Sequence, residues 1–183
     1  LEIEWAIKMN PFLFSEIFYQ RFVNSIYLDT HELKSYFDNV DGNSSRFKVR
    51  IRWYGDLFGI VEKPVLELKI KEGMVGTKVS YPLQPFRLET GFSLKNLNFS
   101  ILESEVPERL KKDLSFFQLS LLNRYSRKYY LSANKLFRIT LDSKLVFYRL
   151  FQSCNNFLNH ITDASSILEL KYDSSDVKYG ELV

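Results

Sequence analysis

The sequence predicts an α+β fold, an antiparallel β-barrel with flanking helices. Period-two alternation of apolar and charged residues recurs along the chain, most clearly over Arg46–Tyr54 and Leu66–Lys71. Aromatic residues reach 16%, whereas Gly and Pro number only 7 and 5, a mixture that suits sheet. Six or more such runs without obvious edge protection favour closure into a barrel. At 183 residues the chain can bury a large core as one domain without disulfide staples.

Taken in order, residues 1–20 read as a helix interrupted at Pro11, because Ile3, Ile7 and Asn10, then Phe14, Ile17 and Phe18, recur at helical spacing. Val23–Leu28 is a short strand ending at Asp29-Thr30. Either residue can cap a following helix through Leu33, Tyr36 and Phe37. The 41–45 stretch is a loop by its turn chemistry. Strands follow over 46–54, 66–71 and 76–81, the last ending before Pro82. Residues 93–123 read as a solvated helical cover entered at Glu105–Glu108, with Leu110, Leu114 and Phe117 on one face. Further strands are expected at Tyr125–Leu131, Phe137–Asp142 and Ile167–Tyr172. Neither a repeat nor a linker is visible, so 1–183 is read as a single domain.

Composition removes several function classes. A net charge of +3 does not advertise nucleic acid as a partner. Cys154 is the single cysteine, which fits a reducing, cytoplasmic setting, and no basic residue adjoins it to make a nucleophile. His31 and His160 lie far apart and form no zinc pattern. Neither a bilayer-spanning stretch nor a secretory signal is present in the sequence.

Alternation sorts each strand into two faces. Phe47, Val49, Ile51 and Trp53 oppose Lys48, Arg50 and Arg52; Leu66, Leu68 and Ile70 oppose Glu67, Lys69 and Lys71. Phe137, Ile139 and Leu141 oppose Arg138, Thr140 and Asp142; Leu168, Leu170 and Tyr172 oppose Glu169, Lys171 and Asp173. The plain reading is a sheet with its charged face in water. The second reading turns that face inward. Two like charges ~7 Å apart then repel by roughly 2 kcal/mol at an effective dielectric of 20, which an anionic ligand, acidic partners or water must relieve. Arg grips phosphate oxygens in pairs and Lys adds point charge, so the inward reading suggests a tunnel for a highly charged phosphate compound. Nine bases (Lys48, Arg50, Arg52, Lys69, Lys71, Lys78, Arg127, Arg138 and Lys171) would meet four acids there (Glu67, Asp142, Glu169 and Asp173). That excess of five exceeds the charge of the whole chain, so the remainder is acidic.

These residues also carry a resemblance. Val23-Asn24-Ser25-Ile26-Tyr27-Leu28-Asp29-Thr30, then Arg46-Phe47-Lys48-Val49-Arg50-Ile51-Arg52-Trp53-Tyr54-Gly55, resemble the VTC (vacuolar transporter chaperone) domain. Leu66–Lys71, Tyr125–Tyr130, Phe137–Asp142 and Leu168–Tyr172 follow in the family's order, over nearly the whole chain. The resemblance implies a triphosphate-tunnel barrel related to the CYTH phosphohydrolases. It further implies that the full-length protein is a phosphotransferase making polyphosphate from the terminal phosphate of ATP, with a divalent metal, Mn or Mg. By motif, Arg50, Arg52, Lys69, Arg127 and Arg138 would be catalytic and would converge on one lumen. Those five, with Lys78 and Lys171, would bind phosphate, and Glu169 would be the metal ligand. Such chemistry rests on positioning and charge neutralisation, so the lack of a Ser, Cys or His nucleophile is consistent with it.

Two departures from the family pattern are visible. The family's first strand carries Glu-x-Glu-x-Lys, whereas Glu2-Ile3-Glu4 is followed by Ala6 at the Lys position. The resemblance therefore makes Leu1–Met9 the helix after that strand. Lys178-Tyr179 imitates the family's C-terminal Ser-Lys-Tyr segment but lies close to Glu169. The expectation is a fragment lacking the first strand and the C-terminal segment. Three functions stay open: a polyphosphate polymerase, a tunnel triphosphatase or polyphosphatase, and a non-catalytic polyphosphate-binding module. ATP or another triphosphate and polyphosphate are the expected partners, and a membrane-protein partner would leave no mark in this chain.

Overall fold

Acidic Glu2 and Glu4 in the first turn of α1 (Glu2–Met9) and Lys8 in its last turn match the helix dipole. The computed structural model describes residues 2–73 and 75–172. Asp173, Lys178 and Tyr179 lie outside them. After Pro11 the chain enters β1 (Ser15–Asp29), so the helix expected to resume over Phe14, Ile17 and Phe18 is a strand instead. Ile17, Phe18, Tyr19, Phe22 and Val23 are β-branched or aromatic, and that extended preference outweighs the coincidental helical spacing.

The Asp29 carboxylate caps α2 (Lys34–Val40) as expected. It accepts the backbone N–H groups of Thr30, Ser35 and Tyr36 at 2.8, 2.8 and 2.9 Å. Thr30 Oγ1 accepts the Lys34 N–H at 3.1 Å. The alternating runs form β2 (Ser45–Tyr54), β4 (Val65–Glu72) and β5 (Val75–Pro82), with the unanticipated β3 (Gly59–Val61) and β6 (Phe86–Leu88) paired as a separate two-stranded sheet. The helical cover is α3 (Leu94–Leu102) and α4 (Glu108–Leu114) and ends there. Residues 118–123, expected as helix, open β7 (Gln118–Leu131), where Leu119 and Leu122 are buried and a helix would end the sheet pairing. β8 (Arg138–Arg149), the unanticipated β9 (Ile161–Asp163) and β10 (Ile167–Lys171) complete the order.

The main sheet has eight strands in the order β10-β8-β7-β1-β2-β4-β5, with β9 paired to β8. Among the described residues the pairing runs from β10 to β5, and no pairing between those two strands closes it into the barrel expected. Edge protection overlooked in the sequence is present on β5, which carries Gly76, Lys78 and a terminal Pro82, residues that discourage further pairing.

Packing divides the described residues into two compact units. The smaller takes the described residues up to Phe22, Tyr125–Leu145 and those from Asp163 to Tyr172; the larger takes the described residues of Val23–Arg124 and Val146–Thr162. In the larger, Ile26, Val49, Ile51, Leu66 and Leu68 from the strands join Leu97, Ile101 and Leu114 from α3 and α4 in one core. Trp53 belongs to that core, edge-on to Phe86 at 5.9 Å, with Nε1 donating to Asp56 O at 3.0 Å, while Tyr54 is exposed. In the smaller, Ile7, Phe14, Tyr130, Phe137, Ile139 and Leu141 form the core. Leu168, expected on a buried face of β10, is 47% exposed. Among the described residues, no helix is long and apolar enough to cross a membrane.

Candidate functional site

β4 lies between β2 and β5, so the registers draw rows across three strands. Lys48, Lys69 and Lys78 stand opposite one another in a middle row; Arg50, Glu67 and Ser80 form the row on one side of it, and Arg46, Lys71 and Gly76 the row on the other. Tyr27 of β1 extends the Arg50 row and Ser25 pairs with Arg52. Directly opposed like charges destabilise a sheet by up to ~1 kcal/mol per pair. The other face buries Val49, Ile51, Leu66 and Leu68, each worth roughly 1.5–3 kcal/mol. Burial of the apolar face therefore sets the register and carries the basic face with it.

Glu67 is the counter-charge of this face and is only 5% exposed. Arg50 Nε and Nη2 both lie 2.6 Å from its Oε2, Arg52 Nη1 is 3.7 Å from the same oxygen, and Lys78 Nζ is 2.5 Å from Oε1. Burial pushes the Glu67 carboxyl up, but the Lys78 hydrogen bond and the charges of Arg50 and Arg52 outweigh it and hold the group at about 2. For Arg50, burial disfavours the charge, yet Tyr27 and Glu67 more than offset it and its pKa is raised. Burial, with Arg46 and Arg50 nearby, depresses Lys48.

A cavity of about 490 Å³ opens on this face. Arg46, Lys48, Arg50, Lys69, Lys71 and Lys78 line it together with Tyr27, Asn39, Ile70, Gly76 and Thr77. The described lining thus holds six bases, two of which, Arg50 and Lys78, are paired with the buried Glu67. Of the residues singled out in the sequence, Arg50, Lys69 and Lys78 share this cavity, while Arg52 joins the group through Glu67.

The remaining predicted residues belong to the smaller unit. Arg127 is held by Asp142 in a two-point pair, Nε to Oδ1 at 2.5 Å and Nη2 to Oδ2 at 2.6 Å. Its guanidinium lies 5.1 Å from the Tyr125 ring centre. Burial opposes its charge, but the Asp142 hydrogen bonds outweigh that and raise its pKa. Arg138 stands opposite Lys171 in the β8–β10 register, and Thr140 opposite Glu169. Arg138, Lys135 and Lys171 line a second basic cavity of about 620 Å³. Glu169 Oε1 is 3.4 Å from Lys171 Nζ, and Thr140 Oγ1 donates to its Oε2 at 3.5 Å.

Among the described residues, no three His, Cys, Asp or Glu side chains cluster as a metal cage. Glu67 and Asp142 are committed to their bases, whereas Glu169 keeps an accessible carboxylate, 48% exposed. That donor set fits a hard divalent cation that takes one protein carboxylate and completes its shell with phosphate oxygens and water, as Mg²⁺ does. It does not fit zinc.

Three contributors escaped the sequence reading. Arg46 is in phase with Lys48 and Arg50, so alternation alone could have found it. Tyr27 alternates with Ser25 on the same face, but only the β1–β2 register places it beside Arg50. Asn39 enters from α2, and no strand pattern signals it.

The family model for the VTC domain matches residues 7–181. No curated protein matches the chain. Among solved structures, a Hippeastrum protein described as a "putative adenylyl cyclase" that reveals a dominant triphosphatase activity is similar at a TM-score of 0.48 and 12% identity. That alignment covers 98% of this chain and 80% of the Hippeastrum one.

Proposed function

The chain belongs to the VTC domain family, and from that premise we propose that it binds a nucleoside triphosphate and polyphosphate and passes phosphoryl groups between them. The observation that carries this reading is the cavity of the larger unit, where six bases line one space and Glu67, paired with two of them, offsets only part of their charge. Such a concentration of positive charge has its natural counterpart in a polyanion. Arg50 and Arg52, braced against Glu67, supply rigid guanidinium forks; Lys48, Lys69 and Lys78 supply point charge to phosphate oxygens. Arg127, Arg138 and Lys171 are assigned phosphate contacts in the smaller unit, with Arg127 oriented by Asp142.

In the transfer, a terminal phosphate oxygen of the acceptor chain attacks the γ-phosphorus of the triphosphate. The bond from that phosphorus to the β,γ-bridging oxygen breaks, and the nucleoside diphosphate leaves with the electron pair. The bases stabilise the charge on the equatorial and leaving oxygens. A divalent cation held by Glu169 would neutralise further phosphate charge when bound.

A polymerase-type acceptor is favoured over water by one feature. An anionic phosphate oxygen needs no deprotonation, whereas attacking water gains from a general base. The described lining of the larger unit's cavity holds neither a carboxylate nor a histidine, and Glu67, held at about 2 by its cations, is a poor base. Incubation with ATP and Mn²⁺, followed by gel analysis of chain length and assay of free phosphate, tests the reading. Lengthening chains are expected; phosphate release without chains would identify a hydrolase, and binding with neither a non-catalytic module.

A further inference from the structure

A second cavity of different chemistry adjoins the basic one in the larger unit. It encloses about 260 Å³, and Tyr27, Asn39 and Lys48 line both spaces. Elsewhere its polar wall comes from Ser35, Tyr36, Ser120 and Asn123, with Leu28 and Val49 as apolar surface. Asp29 also borders it, but that carboxylate is occupied by the backbone N–H groups at the start of α2. Among the described lining residues, Lys48, on the boundary, is therefore the one charged side chain not already engaged in capping.

Asn123 marks the space as built for a ligand. The residue is 9% exposed, and its Oδ1 is buried without a hydrogen-bond partner among the described residues. A buried amide oxygen left unpaired carries a desolvation cost that a ligand N–H or O–H would remove. The exposed Tyr36 ring offers an aromatic surface, and the serine hydroxyls offer both donors and acceptors. An inorganic phosphate chain has no use for a neutral aromatic and amide wall. A ligand with a polyanionic tail and a flat, uncharged, hydrogen-bonding head uses both spaces.

We infer that the 260 Å³ cavity receives the nucleoside of a triphosphate whose phosphates occupy the adjoining basic cavity, with Tyr36 against the base and Asn123 Oδ1 accepting a hydrogen bond from it. This rests on the phosphate reading of the neighbouring cavity and extends it to the donor's head group. Lys48 and Tyr27, common to both spaces, mark the junction between head and tail.

The experiment measures the affinity of the chain for ATP and for inorganic tripolyphosphate in the wild type, Tyr36→Ala and Asn123→Leu. Loss of base stacking or of the amide bond is expected to weaken ATP by about tenfold each, leaving tripolyphosphate within about twofold. Tyr36 is exposed, so its variant decides the question should Asn123→Leu lower the melting temperature. Equal losses for both ligands, or no loss for ATP, overturn the nucleoside site while leaving the phosphate reading intact. Wild-type protein that binds neither ligand overturns the phosphate reading itself, and this inference with it.

Discussion

Arg50 and Glu67 stand opposite each other on β2 and β4, with two guanidinium nitrogens 2.6 Å from the same carboxylate oxygen. Because Arg50 uses only Oε2, the other oxygen is left to Lys78 Nζ at 2.5 Å. One buried acid thereby organises cations from β2 and β5 at once. Without it, the lysine row and the arginines would face one another with no fixed anion between them.

Glu67→Gln should cost about 3–5 kcal/mol, since it leaves buried charge without its partner. Urea unfolding of the variant gives the number. Glu108→Gln is the matched control: its pair with Lys111 at 2.9 Å is solvent-exposed on the acid side, and its loss should change stability by less than about 1 kcal/mol. Similar small losses for both would show that the Glu67 cluster does not brace the sheet.

Acid should expose the same residue. The folded-state pKa of Glu67 lies at about 2, below its ordinary 4.5, so the unfolded chain takes up the proton first. The stabilisation is complete above pH 4.5 and is lost as pH falls towards 2. Melting curves of wild type and Glu67→Gln should therefore converge across that window. A gap that stays constant would locate the acid sensitivity elsewhere.

Arg50→Ala with Arg52→Ala should weaken tripolyphosphate binding by about 100-fold or more, as charged hydrogen bonds contribute ~1.5–3 kcal/mol each. Lys69→Met, at an exposed position, should weaken it less and flatten the dependence of affinity on salt without lowering the melting temperature. Unchanged affinity in the double variant would remove the phosphate assignment.

Glu169→Gln separates metal binding from folding. Its carboxylate is half exposed and, among the described residues, meets Lys171 and Thr140, so stability should shift by no more than about 0.5 kcal/mol. Mn²⁺ affinity in the presence of tripolyphosphate, followed by electron paramagnetic resonance, should fall roughly tenfold or more. An unaltered Mn²⁺ titration would take the metal away from this residue.

Reading strands from alternation worked where one face is buried. Val49 and Ile51, or Leu66 and Leu68, must be apolar to fill the core, which makes their charged neighbours visible by phase alone. It failed where that pressure is weak. β1 begins at Ser15 among exposed residues, so Ile17 and Phe18, following the buried Phe14, imitate a helix. β3, β6 and β9 span three residues each, too few to show a period. Residues 118–123 followed a helical cover without a breaker and so were read as its continuation.

The candidate site divides along the same line. Alternation put Lys48, Arg50, Arg52 and Lys69 on the charged faces of their strands, and motif order supplied the resemblance to the VTC domain. Which charges meet depended on register, a relation between segments distant along the chain. Register placed Lys48, Lys69 and Lys78 in one row and Glu67 against Arg50. Side-chain contact between β7 and β8 joined Arg127 to Asp142, and packing put that pair in a different unit from Arg50. A face can be read from one strand because side chains alternate within it, but a charge network needs the partner strand, whose position is decided by how the apolar faces pack.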